Sequence, residues 1–494
     1  MTEELDSIGD GRHSRLTLRD NLLLYLSLVL LILSSVDNGP FGALAKLCWL
    51  ASFACLTFTN IGAAFAAYIG SLAIYSPLHY ETWGSPWQRP DNYALLIVFA
   101  GMLLQVFNRK EARPRFNAYV LAFLTFFILH GAISDNFSRM QFAALMRDIV
   151  IPLLACELLA AIKLRDRELN AFLNGMGALG SYMGLVSILE RIPAYDWILP
   201  PWVGDLSLRP PDEFLAGWID SGRSGGSLLQ PAWNGLLLSL IFLILLLRMR
   251  QGRSWPVTMA MSLCVAGTFF TYTRGVWLGL ALSLMWFPGW CRSQRQAQMR
   301  RVGLACIAAV LIVAAGGMAS ERLHETGTIY YRFNLWGAGL RLVMAHPLLG
   351  VGFFNFGSAM PGAEQGLGSL LPSLPDVEGG VASHNTLLTV LVEFGTVGFF
   401  LYVAAFFKIA QRAKNNGCQL WGRAGGAWVL AFAIVYLVNA QFVSAFEGTT
   451  NVVFFGFLGA MAGARTQHYS VQQPSIERGN PTKNFWPSEL NNEV

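Results

Sequence analysis

The chain has 494 residues, of which 54% are hydrophobic and only 13% charged. A soluble chain of this length carries roughly a quarter charged residues, so the composition excludes an ordinary soluble enzyme and gives no nucleic-acid-binding surface. The net charge of +5 sits mostly in short loops between apolar runs. The expected fold class is an all-α integral membrane protein with about 12–14 transmembrane helices and a large outer loop containing short helices.

In chain order, a polar tail at 1–19 comes first, acidic and then basic. It lacks a cleavable signal pattern, so the first span is expected to act as its own signal. Apolar runs predict spans at 20–36, 41–58, 60–76, 92–108, 116–134, 142–162 and 170–190, then 232–248, 256–271, 274–290 and 302–318, and last 385–408, 424–442 and 449–465. Basic clusters follow at Arg12, Arg15 and Arg19; at Arg109, Lys110, Arg113 and Arg115; and at Lys163, Arg165 and Arg167. More lie at Arg248, Arg250 and Arg253, at Arg292, Arg295, Arg300 and Arg301, and at Lys408, Arg412 and Lys414. With this set of spans all six clusters share one side, which the excess of basic residues makes cytoplasmic. Both termini then lie inside.

The organisation that follows is a cytoplasmic tail at 1–19, N-terminal spans over 20–190, an outer loop at 191–231 and central spans over 232–318. A large outer loop at 319–384, C-terminal spans over 385–465 and a polar, disordered inner tail at 466–494 complete it. Both outer loops are too long to be simple connectors. Cys48, Cys55, Cys156, Cys264, Cys291, Cys306 and Cys418 avoid the long outer loops, so no disulfide framework is expected. There is no Cys–x–x–Cys and no His–x–His, and no metal site is expected.

The outer side is nevertheless rich in arginine. Arg223, Arg274, Arg332 and Arg341 all fall there, while lysine is nearly absent, with only Lys46 near an outer helix end. Arginine without lysine points to forked recognition of phosphate or carboxylate. Beside a bilayer, that suggests a lipid-linked phosphate.

Five segments carry this chemistry. Arg223 opens a glycine-rich stretch, Gly225-Gly226-Ser227, that runs to Pro231 and Asn234; it reads equally as an anion cradle or a plain loop. Thr271-Tyr272-Thr273-Arg274 opens a span at its outer end, where Arg274 either snorkels or pairs with a phosphate. A helix is predicted from Arg332 to His346, ended by Pro347. Arg332 and Trp336 share a face of it, and Arg341 lies nine residues on, about opposite. That helix either rests on the membrane and offers Arg332 to a lipid phosphate or is an ordinary amphipathic helix. Ser383-His384-Asn385 opens a span, where the helix dipole favours the neutral imidazole that a general base requires. A capping role for Ser383 or Asn385 with a passive His384 is the alternative. Glu393, nine residues on, reads as a packing or helix–helix group. Last, Arg147-Asp148 lies near the outer end of its span, as a functional charge or as a pair that offsets itself.

The ordered set Arg223 with Gly225-Gly226-Ser227, Pro231 and Asn234; Thr271 to Leu278; Arg332 to Gly352; and His384-Asn385 to Gly398 resembles the O-antigen ligase and O-antigen polymerase superfamily. The chain departs from the family pattern at Thr273, where serine is frequent, and in the spacing of Pro231 and Asn234. The resemblance implies a metal-independent glycosyltransferase without cofactor, in the bacterial inner membrane with its active site facing the periplasm. Its donor would be a glycan on undecaprenyl diphosphate. Its acceptor would be the lipid A core or another glycan, and its surroundings membrane lipid. Arg274, Arg332 and His384 match the family's span arginine, loop arginine and loop-end histidine, and are the expected catalytic residues. Arg147, Arg223, Trp336, Arg341 and Asn385 are the expected substrate-binding residues. A ligase is slightly favoured over a polymerase of O-antigen, capsule or exopolysaccharide. A non-enzymatic transporter of lipid-linked oligosaccharide stays open, although the arginines gather near one face rather than along a path through the bilayer. A lipid-phosphate-sugar transferase of the other common type would carry an acidic pair in the first outer loop, which offers only Asp37.

Overall fold

The computed structural model describes residues 19–34, 40–75, 90–109, 116–133, 139–192, 223–250, 254–285, 327–359, 384–421, 423–442 and 448–464. Most of these residues are helical, and no strand occurs among them. The helices are α1 (19–34), α2 (Pro40–Thr59), α3 (Ile61–Tyr75), α4 (Pro90–Asn108), α5 (Ala118–Ile133), α6 (Arg139–Leu145), α7 (Ile151–Ile162) and α8 (Asp166–Leu189). After them come α9 (Pro231–Arg250), α10 (Trp255–Phe270), α11 (Arg274–Met285), α12 (Gly327–Ala345), α13 (Thr386–Trp421), α14 (Arg423–Ala440) and α15 (Gly448–Gly463). Thirteen of the expected spans fall on these helices; the one at 302–318 lies outside the described residues, as do most of both outer loops and the tail at 466–494.

Among the described residues, five helices are long and apolar enough to cross a membrane, and shorter apolar helices accompany them. The chain is a multi-pass, all-α membrane protein. Its interior is built on α3 and α15: every residue of Ile61–Tyr75 is buried, and so is nearly all of Gly448–Gly463. Helix α15 packs against α7, α13, α9 and α3. Glycine allows the α7 approach. A Cβ at Gly459 would sit 2.3 Å from the Cys156 carbonyl oxygen, and one at Gly463 2.6 Å from that of Leu159. Close backbone packing through small residues replaces the hydrophobic drive that lipid does not supply.

The two ends of the bundle differ chemically. At one end Arg167 pairs with Asp20, Arg109 with Glu168, and Arg412 with Glu157. Asn60 also donates to Asp20 at 2.8 Å, and Arg248 to Asn174 at 3.3 Å. The described members of the basic clusters therefore gather at a single end, as the sequence pattern requires. The opposite end holds the other motifs.

Two helix interruptions lie toward that opposite end. The expected span at 142–162 is α6, a π turn at Met146–Val150, and α7. Pro152 has no N–H to give the carbonyl of Asp148; Asn451 Nδ2 donates to that carbonyl instead, at 2.7 Å. Helix α13 breaks at Gly395, where φ is 62° and ψ −169°, a region essentially restricted to glycine. The freed groups are paired by the segment after α12. The N–H groups of Val351 and Gly352 donate to the carbonyls of Val392 and Glu393 at 2.9 and 3.0 Å. Those of Thr396 and Val397 donate to Pro347 and Leu348 at 2.8 and 3.3 Å. This explains the Pro347 to Gly352 motif. Gly350 and Gly352 have positive φ, and a Cβ at Gly350 would lie 2.4 Å from the Val392 carbonyl oxygen.

Candidate functional site

Helix α12 lies along the start of α13. Leu335, Ala338 and Leu342 form a small core with Phe356 and Val392, and Leu388 packs on it. Arg332 stands one turn before Leu335 on the same helix, and His384 immediately precedes the α13 cap. The packing of α12 on α13 puts the Arg332 charge within electrostatic reach of the His384 imidazole. Burial first, and that positive charge second, push the imidazole pKa down to about 4. Burial also lowers the pKa of Arg332. His384 is thus neutral across the physiological range, by desolvation and charge repulsion rather than by the helix dipole alone.

His384 has φ 51°, an uncommon conformation for a residue with a side chain. Tyr272 (φ 47°), Leu229 (φ 56°) and Phe354 (φ 62°) share that feature at this end of the bundle. Such backbone cost is retained where surrounding contacts enforce it, and it clusters at working sites.

Asn385 is the α13 cap. Its Oδ1 accepts from the Leu388 N–H at 3.1 Å, and its Nδ2 donates to Gln441 Oε1 at 3.3 Å. Gln441 and Phe442 follow α14, and the Phe442 ring lies against Gly275, where a Cβ would be 3.1 Å from it. Arg274 is the next residue back, exposed at the first turn of α11. A continuous set of contacts therefore leads from His384 through Asn385, Gln441 and Phe442 to the α11 entrance.

Arg223 belongs to the same end. Its Nε donates to the Thr271 carbonyl at 3.2 Å, and its NH2 group to Thr273 Oγ1 at 3.1 Å. The turn that presents Arg274 is itself braced: Trp277 Nε1 donates to the Thr268 carbonyl at 3.1 Å, and Trp277 stacks on Phe269 at 5.3 Å. The glycine-rich stretch after Arg223 already holds a carboxylate. Glu190 Oε2 accepts from Ser224 Oγ at 2.7 Å and from the Gly226 N–H at 2.8 Å. Here a side chain of the protein occupies the anion cradle suggested by the glycines.

Arg147 forms a two-point pair with Asp148, Nε to Oδ1 at 2.6 Å and NH2 to Oδ2 at 3.0 Å. Arg341 lies partly exposed nine residues beyond Arg332 on α12, and Trp336 packs on the α12–α13 core with its ring against Phe333 at 5.6 Å. Ser383 lies outside the described residues. Sequence reasoning missed Glu190, Gln441 and Phe442. A carboxylate ending an apolar run was the signal for Glu190; nothing local marked the other two.

Residues 259–403 match a family model described as O-antigen ligase. The matched stretch runs from α10 into α13 and contains Arg274, Arg332, Arg341 and His384, but neither Arg147 nor Arg223. No curated protein matches the chain. The match agrees with the motif resemblance: over this segment the chain is similar to the O-antigen ligase family.

Proposed function

We propose that the protein is an O-antigen ligase-like glycosyltransferase that moves a glycan from undecaprenyl diphosphate to an acceptor hydroxyl on the periplasmic face. The observation that carries this reading is a largely buried His384 within electrostatic reach of Arg332, inside the segment matched to the ligase family. Arg332 and Arg274 hold the diphosphate. The acceptor oxygen attacks the anomeric carbon from the face opposite the diphosphate. As the new carbon–oxygen bond forms, the old one breaks, its electron pair passes to the diphosphate oxygen, and the configuration inverts. The guanidinium groups meet the charge developing there, a task that needs oriented cations rather than a metal as such. His384 takes the proton from the acceptor hydroxyl.

The charge beside His384 also makes the base conditional on donor. Without donor, Arg332 and burial keep the imidazole weakly basic. A bound diphosphate neutralises Arg332 and adds negative charge, which raises the imidazole pKa. The sign gives a kinetic expectation. The acid limb of kcat/KM, which reports the free enzyme, falls near pH 4. The limb of kcat, which reports the donor complex, lies at higher pH. Coincident limbs, or a kcat limb at lower pH, would contradict the arrangement.

The donor-side chemistry is common to ligase and polymerase. Product analysis in reconstituted proteoliposomes separates them: glycan on a lipid A core acceptor supports the ligase, whereas elongation of lipid-linked repeats without that acceptor makes the chain a polymerase. Donor that only changes leaflet, with no new glycosidic bond, would leave a transporter.

A further inference from the structure

Glu393 sits at the α13 break with its side chain buried. Its carboxylate accepts hydrogen bonds from the backbone N–H groups of Phe354 and Phe356. One of its oxygens, Oε2, has no hydrogen-bond partner among the described residues. A buried carboxylate in a membrane helix is costly and is retained for a task. The task is visible in what it grips. Phe354 and Phe356 belong to the turn that follows the segment joined to α13 at Val392–Val397. That turn is held from two further helices. Gln141 Nε2 of α6 donates to the Phe353 carbonyl at 3.3 Å and to Asn355 Oδ1 at 2.9 Å. His130 of α5 hydrogen-bonds the backbone of Leu349, and its ring lies 5.9 Å from that of Phe394. Helix α12, which carries Arg332, enters this clamp directly through His346 and Pro347. Helix α13, which follows His384, is its other half.

We propose that Glu393 is a positioning residue for glycan transfer: by capping the 353–356 turn it fixes α12 on α13, so that Arg332 faces His384. The clamp is independent of any catalytic assignment, and only its effect on rate rests on the proposed function. Glu393→Gln keeps a carbonyl oxygen for both N–H donors; Glu393→Ala leaves them bare.

The test has two readouts. Spin labels at Met344→Cys on α12 and Phe400→Cys on α13, both exposed positions, are placed in a chain whose native cysteines are replaced. Glu393→Ala is expected to broaden and lengthen the distance distribution, and Glu393→Gln to leave it narrow. In the transfer assay Glu393→Ala is expected to lose activity roughly 10²-fold, the scale of a 1 Å misplacement. Its kcat/KM acid limb should also move up from near pH 4 as Arg332 leaves His384. Glu393→Gln should stay within a few-fold of wild type with the limb unmoved. Should Glu393→Ala fail to insert, Glu393→Asp withdraws the carboxylate by one methylene and is expected to shift both readouts the same way. An unchanged distance distribution in the inserted Ala or Asp variant overturns the proposal, as does a rate loss at every pH with no movement of the limb. A broadened distribution alongside a fully active His384→Ala variant would keep the clamp and reject the proposed catalytic role of His384.

Discussion

Replacing His384 with alanine is expected to lower glycan transfer roughly 10²–10⁴-fold, the contribution of a positioned general base, while the protein still inserts and binds donor. The imidazole is held neutral by burial and by Arg332, and among the described residues the α13 cap is made by Asn385, which accepts from the Leu388 N–H and also donates to Gln441. The loss should therefore be chemical. One confounder is the backbone, because His384 has φ 51° and alanine is strained there. Asparagine tolerates that conformation but is no base, so His384→Asn is expected to be as inactive as His384→Ala. Activity near wild type in His384→Asn would remove the imidazole from the reaction.

The second large effect is expected from Arg332→Lys and Arg274→Lys. Lysine keeps the charge but loses the planar fork that matches two phosphate oxygens. A loss of roughly 10²–10³ in kcat/KM is expected for each, comparable to removing one donor that meets transition-state charge. The larger loss should fall on Arg332, which is partly desolvated and adjacent to the base. Arg274 is exposed at the α11 entrance, where water weakens the electrostatic part. Arg223→Lys should be milder in its direct effect, because its donors are used on Thr271 and Thr273. Lysine variants that retain full kcat/KM would show that point charge alone suffices.

Much of the scaffold was legible because the bilayer imposes a simple code. Apolar runs marked the helices, and the contacts around Asp20, Glu157 and Glu168 bring Arg109, Arg167 and Arg412 of the basic clusters to one end. Pro347 and the glycines at 350 and 352 marked a turn, and the turn is there. What the turn pairs with was not legible. It completes a helix broken more than forty residues later, at Gly395, and such pairing leaves no periodic trace. Glu393 was read as a packing or helix–helix group for the same reason: its partners are backbone N–H groups, which every residue but proline owns. At Gly225-Gly226 backbone donors did suggest an anion, and the carboxylate of Glu190 takes that place. Asp148 and Pro152 held a readable signal, a carbonyl four residues before a proline, but its partner Asn451 lies on the last helix.

The central claim is that guanidinium groups from α11 and α12 meet one diphosphate. Equilibrium binding of undecaprenyl diphosphate to the protein in nanodiscs tests it without requiring turnover or a known acceptor. Arg274→Ala and Arg332→Ala are each expected to weaken binding, and the double variant to weaken it by a factor different from the product of the two, since groups on one ligand couple. Wild-type affinity in Arg332→Ala, or strictly independent effects of the two replacements, would contradict a shared site.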